Sequence, residues 1–403
     1  MIYILYRKKK GFILNVLFLI FLFNNLNGQT LQDSTKLSPH GTLWGYAFGD
    51  YAYKVHADSV GGGRGGSNQY SRIPKDRTMF QFRRIYLGYN YDISPKFSAE
   101  LLLAAEDDFT SGDLLINNKF SPYIKLANVR WKNIWKGTDV IFGQVSTPSF
   151  PLLTEKIWAY RSVERTVSDI RRTPSFDLGI ALQGHFIPAN DNFGYNIMMG
   201  NGQGARPEID PYKWFYAEVY TKLFNKNFII DLYTDYNRIN WSSSWHHSRS
   251  MIKGFVAYTT PNITIGAEAF TNSLKRDNIA TKINGQSDTL TTKAKAISLF
   301  VRGKIYKDKL GFFARYDAYD PSGNINKNLY VLYNPMTTQY DPDTKENFIT
   351  AGLDYTPDKN VHIMPNVWYN NYKNTGPKNF GNATKDHDLV YRLTCHWIFN
   401  PGK

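Results

Sequence analysis

Cysteine is nearly absent from this chain: Cys395 is the only one in 403 residues. An intramolecular disulfide is therefore excluded, and so is a cysteine-based metal cluster. Long apolar runs are equally scarce. The one run, residues 12–23, has twelve residues and is interrupted by Asn15. A spanning helix needs about 20. Mean hydropathy is -0.43, which excludes a helical membrane protein. It does not exclude a barrel, where half of each strand faces a wet lumen.

What is present at the N-terminus fits export. Arg7-Lys8-Lys9-Lys10 precedes the apolar run, and Leu26-Asn27-Gly28 offers a small residue for cleavage. Residues 1–28 therefore read as a signal peptide and 29–403 as the mature chain. No cysteine stands directly after the run, which argues against a lipid-anchored lipoprotein. The formal charge is +14. Without the four leader cations, 44 basic residues face 34 acidic ones, or +10. Such a balance suits nucleic acid, an anionic surface or anionic solutes. Export removes nucleic acid.

The joints between segments of strand character carry the fold. Sixteen such segments follow residue 41, separated in strict order by long and short connections. The seven short ones lie at 92–96, 133–138, 187–192, 224–227, 260–262, 307–309 and 356–360. The eight long ones cover about 55–78, 110–121, 146–174, 201–211, 239–250, 273–293, 321–344 and 374–386. That rhythm predicts an all-β fold, a closed transmembrane antiparallel barrel of about 16 strands with both ends on the short-turn side. Outer-membrane barrels keep short turns on the periplasmic side and long loops outside.

Alternation assigns the faces. Ile85, Leu87, Tyr89 and Tyr91 oppose Arg84, Tyr86, Gly88 and Asn90. Leu389, Tyr391, Leu393, Cys395, Trp397 and Phe399 oppose Val390, Arg392, Thr394 and His396. The apolar set is expected to meet lipid. The lumen wall is then expected to carry Arg84, Arg130, Lys132, Arg302, Lys304, Arg315 and Arg392, together with Lys222 and Lys253. Glu100, Glu106, Glu218, Asp231, Asp235, Glu268, Asp317 and Asp354 share that face, so the wall is close to neutral. Pro365 within a strand is expected to mark a bulge or a weak point of the register.

The third long loop, 146–174, is long enough to fold into the lumen. It holds Lys156, Arg161, Arg165, Arg171 and Arg172 against Glu155, Glu164 and Asp169. A cationic constriction concentrates anions by focusing the field. The alternative is that these charges pair with one another and hold the loop shut.

At Phe80-Gln81-Phe82-Arg83-Arg84, leading into Ile85-Tyr86-Leu87-Gly88-Tyr89, the chain resembles the phosphate-selective porins O and P, in the form common in Bacteroidota outer membranes. The resemblance continues at Phe142-Gly143-Gln144-Val145-Ser146-Thr147-Pro148, Arg161-Ser162-Val163-Glu164-Arg165, Asp177-Leu178-Gly179, Gln183-Gly184 and Asn201-Gly202. It implies a sixteen-stranded barrel, usually trimeric, that admits anions by diffusion and carries no catalytic residue. The chain departs from the family at Ser146, where members often carry lysine. It also ends on Phe399-Asn400-Pro401-Gly402-Lys403 rather than on an aromatic residue.

The expected function is passive diffusion of small hydrophilic solutes across the bacterial outer membrane, with a preference for anions such as phosphate. Its partners would be solutes, outer-membrane lipid and two further copies in a homotrimer. No enzyme activity, cofactor or resident metal is expected. A sugar or peptide channel and a surface-binding, adhesin-like barrel are the competing readings. Gly61–Gly66 as a phosphate nest and His246-His247 as a metal pair are weaker signals.

Overall fold

The computed structural model describes residues 39–59, 69–71, 73–106, 115–116, 119–171, 173–242, 245–321, 329–333, 344–374 and 385–400. The leader at 1–28 and the Gly61–Gly66 run lie outside them. So do the side chains of His246 and His247.

Sixteen strands close into one antiparallel barrel. They are β1 (His40–His56), β2 (Thr78–Asp92), β3 (Phe97–Glu106), β4 (Tyr123–Trp135), β5 (Thr138–Ser146), β6 (Phe176–His185), β7 (Phe193–Gly200) and β8 (Trp214–Leu223). Then follow β9 (Phe228–Ser242), β10 (Trp245–Thr259), β11 (Ile263–Lys282), β12 (Ser287–Tyr306), β13 (Leu310–Asp320), β14 (Thr344–Asp358), β15 (Val361–Asn374) and β16 (Lys385–Phe399). Each pairs with its sequence neighbours, and β1 pairs with β16 from Gly45↔Phe399 to Lys54↔Val390. Closure leaves no sheet edge, which a strand-built membrane protein requires. His40 pairs with Asp92 beside the first short turn. The chain therefore enters and leaves the barrel at the short-turn rim.

Period-two burial runs along the strands. In β12, Ala294, Ala296, Ser298 and Phe300 are buried, whereas Ile297 and Leu299 are half-exposed on the outer face. Outward aromatics gather at both rims: Trp135, Phe186, Tyr306 and Phe399 at the short-turn end, and Tyr53, Phe80, Phe215 and Tyr236 toward the long loops. Such girdles sit at membrane–water interfaces.

Two of the expected long loops prove to be strand. The β9–β10 ladder continues to Ser242↔Trp245, and β11–β12 to Thr281↔Ser287. The Ile and Thr residues there pair as readily as those within the membrane. A bulge between Leu274 and Asn278 bends the longer hairpin, and its end carries a short strand, Tyr330–Tyr333. Pro365 does not shift the register: Gly352↔Asn366 and Tyr355↔Ile363 are in step across it. Only the intervening pairs are missing, as a residue without an N–H dictates.

Two bulges break the alternation where it matters. In β2, Phe48 faces Arg84 and the next residue, Gly49, faces Phe82, so Arg83 is extra. Both Arg83 and Arg84 then point inward and are buried. A Cβ at Gly49 would lie 2.4 Å from the Gln81 carbonyl oxygen, so only glycine allows this close approach. In β4, Leu102 faces Leu126 and Leu103 faces Ile124. Lys125 is the extra residue there, and it turns inward beside Leu126.

Candidate functional site: the loop inside the barrel

Residues 147–171 and 173–175 lie between β5 and β6 and run inside the barrel. Their neck is closed by short bonds: Thr147 N donates to the Ser175 carbonyl at 3.1 Å, and Ser149 Oγ to the Pro174 carbonyl at 2.8 Å. Inside lie two short helices, α1 (Thr154–Trp158) and α2 (Val167–Ile170). Ala159 ends α1 in a left-handed conformation with φ 63°. Thr166 caps α2 by accepting from Asp169 N. Trp158 and Val163 are fully buried, and the Trp158 ring packs 5.1 Å from Phe300.

The wall then grips the loop from several strands. Arg83 donates to the carbonyls of Ser162 at 2.8 Å and Val163 at 3.2 Å. Arg302 Nε donates to the Ile157 carbonyl at 2.8 Å, and Arg315 to that of Arg165. Lys253 reaches Thr154 Oγ1 at 3.0 Å, and Tyr160 donates to Asp354 at 3.0 Å. Trp368 Nε1 donates to Glu164 Oε2 at 2.8 Å. Bonds to charged groups contribute about 1.5–3 kcal/mol each, so together they fix the loop firmly.

The expected constriction cations divide into two groups. Arg161 contacts Glu155 and lies 2.9 Å from Asp169, with 12% of its side chain exposed. Arg171 pairs with Glu346 at 2.8 Å and stacks 3.7 Å over the Tyr319 ring. These two are embedded. Arg165 keeps more exposure, 24%, at 3.9 Å from both Glu164 and Asp169. Lys156 is exposed to the lumen and makes no ion pair among the described residues. Arg172 lies outside the described residues.

The electrostatics of the loop follow from this packing. Burial would raise Glu164, but Arg165, Arg83 and Arg392 outweigh it and hold the carboxyl below its usual range. Asp169 is likewise depressed by Arg161, Arg165 and Arg84 against the cost of burial. Enclosure by the barrel pushes the Lys156 ammonium below its ordinary value, and Glu100 and Glu218 oppose that shift.

The wall residues also divide. Arg84 pairs with Glu106 at 2.6 Å, Arg315 Nε with Asp317 at 2.9 Å, and Arg392 Nε donates to Asn366 at 2.7 Å; all three are buried. Arg130 and Lys132 are half-exposed, paired with Asp139 at 2.9 Å and Asp92 at 2.8 Å. Lys304 sits at the short-turn rim with Asp308 at 2.6 Å. Arg302 makes no carboxylate pair among the described residues. Among the described residues, sequence reasoning missed four inward cations: Lys54, Arg83, Lys125 and Arg249. Lys54 lies 2.6 Å from Asp388 with no exposure, and Arg83 lies 3.3 Å from Asp50. The Asp50, Ala52, Lys54 alternation was a readable signal for the first. The bulges concealed the second and third.

A closed barrel with an apolar outer belt, two aromatic girdles and a charged interior is an outer-membrane barrel of bacterial type. No protein-family model matches the chain, and no curated protein matches it. Solved structures do. The outer membrane channel DcaP of Acinetobacter baumannii is similar at TM-score 0.60 and 11% identity, covering 91% of this chain and 99% of that one. An anion-selective porin from Comamonas acidovorans gives 0.56 and 12%, covering 90% and 100%. Salmonella typhi OmpF in complex with daunomycin gives 0.57 and 10%, covering 91% and 100%. At these identities the likeness is one of fold.

Proposed function

We propose that this barrel is a porin: it lets small hydrophilic solutes diffuse passively across the outer membrane and favours anions such as phosphate. The observation that carries the reading is the seated loop. It narrows the lumen and leaves Lys156 exposed, within electrostatic reach of Glu100, Glu218, Lys222 and Arg130. The half-exposed inward side chains Arg130, Lys132, Gln183 and Lys222 line that same side of the lumen. Among the described cations of the loop, Lys156 and Arg165 are the ones that meet solute. Arg161 and Arg171 act mainly as clasps. The phosphate-porin motifs quoted above and the anion-selective structural neighbour support the sign of the preference. Residues 1–28 are the signal peptide and 29–403 the working chain. The assembly is a homotrimer; an apolar groove on the outer face, bordered by Val256, Ile265, Leu299, Val301 and Ile349, supports subunit contact there.

Planar-bilayer recording in a salt gradient tests this. The purified barrel should give ohmic steps and a reversal potential on the anion side. Lys156→Glu should move that potential toward cations. A folded barrel that does not conduct would point to a plugged, surface-binding protein. Saturable block by a neutral oligosaccharide, with no ion preference, would point to a sugar channel.

A further inference from the structure

At the long-loop rim, where the first and last strands meet, three metal-ligating side chains converge away from the lumen loop. We propose that His56, Asp386 and His387 form a binding site for a divalent transition-metal ion that staples β1 to β16. Each residue offers one ligand atom, and the three atoms lie within 4.8 Å of one another. His56 belongs to β1, and the other two open β16.

The surroundings prepare the ligands. His56 Nδ1 lies 2.8 Å from the His387 carbonyl oxygen. A carbonyl only accepts, so Nδ1 carries the hydrogen and Nε2 keeps a free lone pair. A backbone bond of this kind fixes the tautomer of metal-binding imidazoles. Asp386 is anchored through Oδ2 by Ser59 N at 2.7 Å. Its Oδ1 takes the His387 N–H at 2.7 Å. That same oxygen lies 3.5 Å from His387 Nδ1 and 3.8 Å from the hydrogen-bearing His56 Nδ1, so the His56 ring must turn to bring Nε2 to a shared ion.

The two imidazoles stack in parallel, 4.0 Å apart and 7° from coplanar. Two imidazolium cations stacked so would repel, whereas neutral imidazole is the ligating form. All three side chains are partly exposed, at 38%, 16% and 33%, so an ion from outside reaches them.

Two nitrogens and one carboxylate oxygen suit Zn²⁺, Cu²⁺ or Ni²⁺, with water completing the shell; Mg²⁺ and Ca²⁺ prefer oxygen throughout. Metal bonds of about 2.0–2.2 Å hold their ligands closer together than 4.8 Å. Ring lone pairs lie in the ring planes, so binding would turn the stacked imidazoles out of parallel, draw His56 toward the start of β16 and tighten the closing seam.

The test is titration of the detergent-purified barrel, made without a histidine tag, with Zn²⁺ by calorimetry and by thermal unfolding. The expected result is one site per chain, with a Zn²⁺-dependent rise in unfolding temperature. His387→Gln or Asp386→Asn should weaken binding about tenfold or more and remove the rise. The double variant His246→Gln, His247→Gln should keep both. A wild-type barrel that takes up no Zn²⁺ overturns the proposal. So does binding that survives in His56→Gln and His387→Gln, or that disappears in the 246/247 variant. Conduction enters none of these readouts, so failure here leaves the porin reading untouched, and the reverse.

Discussion

Replacing Arg161 with glutamine separates a clasp from a filter. The guanidinium bridges Glu155 and Asp169, whose side chains are 20% and 12% exposed. Removing one partner of a buried pair costs about 3–5 kcal/mol, because the remaining charges lose their counter-ion. The residual exposure here places the cost near the lower end, about 3 kcal/mol. With a factor of ten per 1.4 kcal/mol, the displaced state of this segment gains roughly a hundredfold relative to the seated one. The loop does not detach, because Arg83, Arg302 and Trp368 hold it elsewhere. In single-channel records, Arg161→Gln should flicker strongly while the reversal potential stays at the wild-type value. Lys156→Gln should do the opposite, giving a quiet current with a reduced anion preference. A quiet Arg161→Gln channel with its reversal potential displaced toward cations would refute the clasp and make Arg161 part of the filter.

Three further outcomes follow from the same geometry. Glu164 and Asp169 are depressed, so their stabilisation is present above the unfolded carboxyl value of about 4 and is lost as pH falls through the lower folded values. Currents should stay quiet down to about pH 4 and flicker below it, and noise setting in near neutrality would implicate histidines instead. Arg83→Met takes the nearest counter-ion from buried Asp50 and leaves two loop carbonyls without their donor, and should lower stability by about 3 kcal/mol in urea unfolding; an unchanged midpoint would show that the bulged arginine carries no weight. Leu393→Arg on the lipid face should cost about 2–4 kcal/mol if it lies near the midplane, and Cys395 in intact vesicles should resist a water-soluble thiol reagent, so rapid labelling would count against the face assignment.

Sequence revealed the barrel because strand faces are enforced by solvent on one side and lipid on the other. Ile85, Leu87 and Tyr89 had to alternate with Arg84 and Tyr86, and the structure keeps them so. Loop extents were less legible. Residues 239–242 and 287–292 pair beyond the strand ends expected from the sequence, where the outer-face apolar alternation that marks the other strands is weak. The loop's placement in the lumen was readable from its length. Its contacts were not, because Arg302 with Ile157 and Trp368 with Glu164 join residues far apart in sequence. The division between Lys156, left open, and Arg161, embedded, was equally invisible. Both are cations on one short segment, and only the packing distinguishes them.

The two bulges have a consequence for deletion. Arg83 lies between Phe82 and Arg84, and Lys125 between Ile124 and Leu126. Removing either residue restores plain alternation: Phe82 and Ile85 would still face lipid, as would Ile124 and Ala127. Elsewhere in a strand, loss of one residue turns every side chain beyond it to the wrong face. Arg83 and Lys125 are thus supernumerary positions, where one codon can be dropped from the gene and the barrel wall stays in phase. Insertion of a single residue is by the same logic a route to a new lumen charge that leaves the membrane-facing surface unaltered.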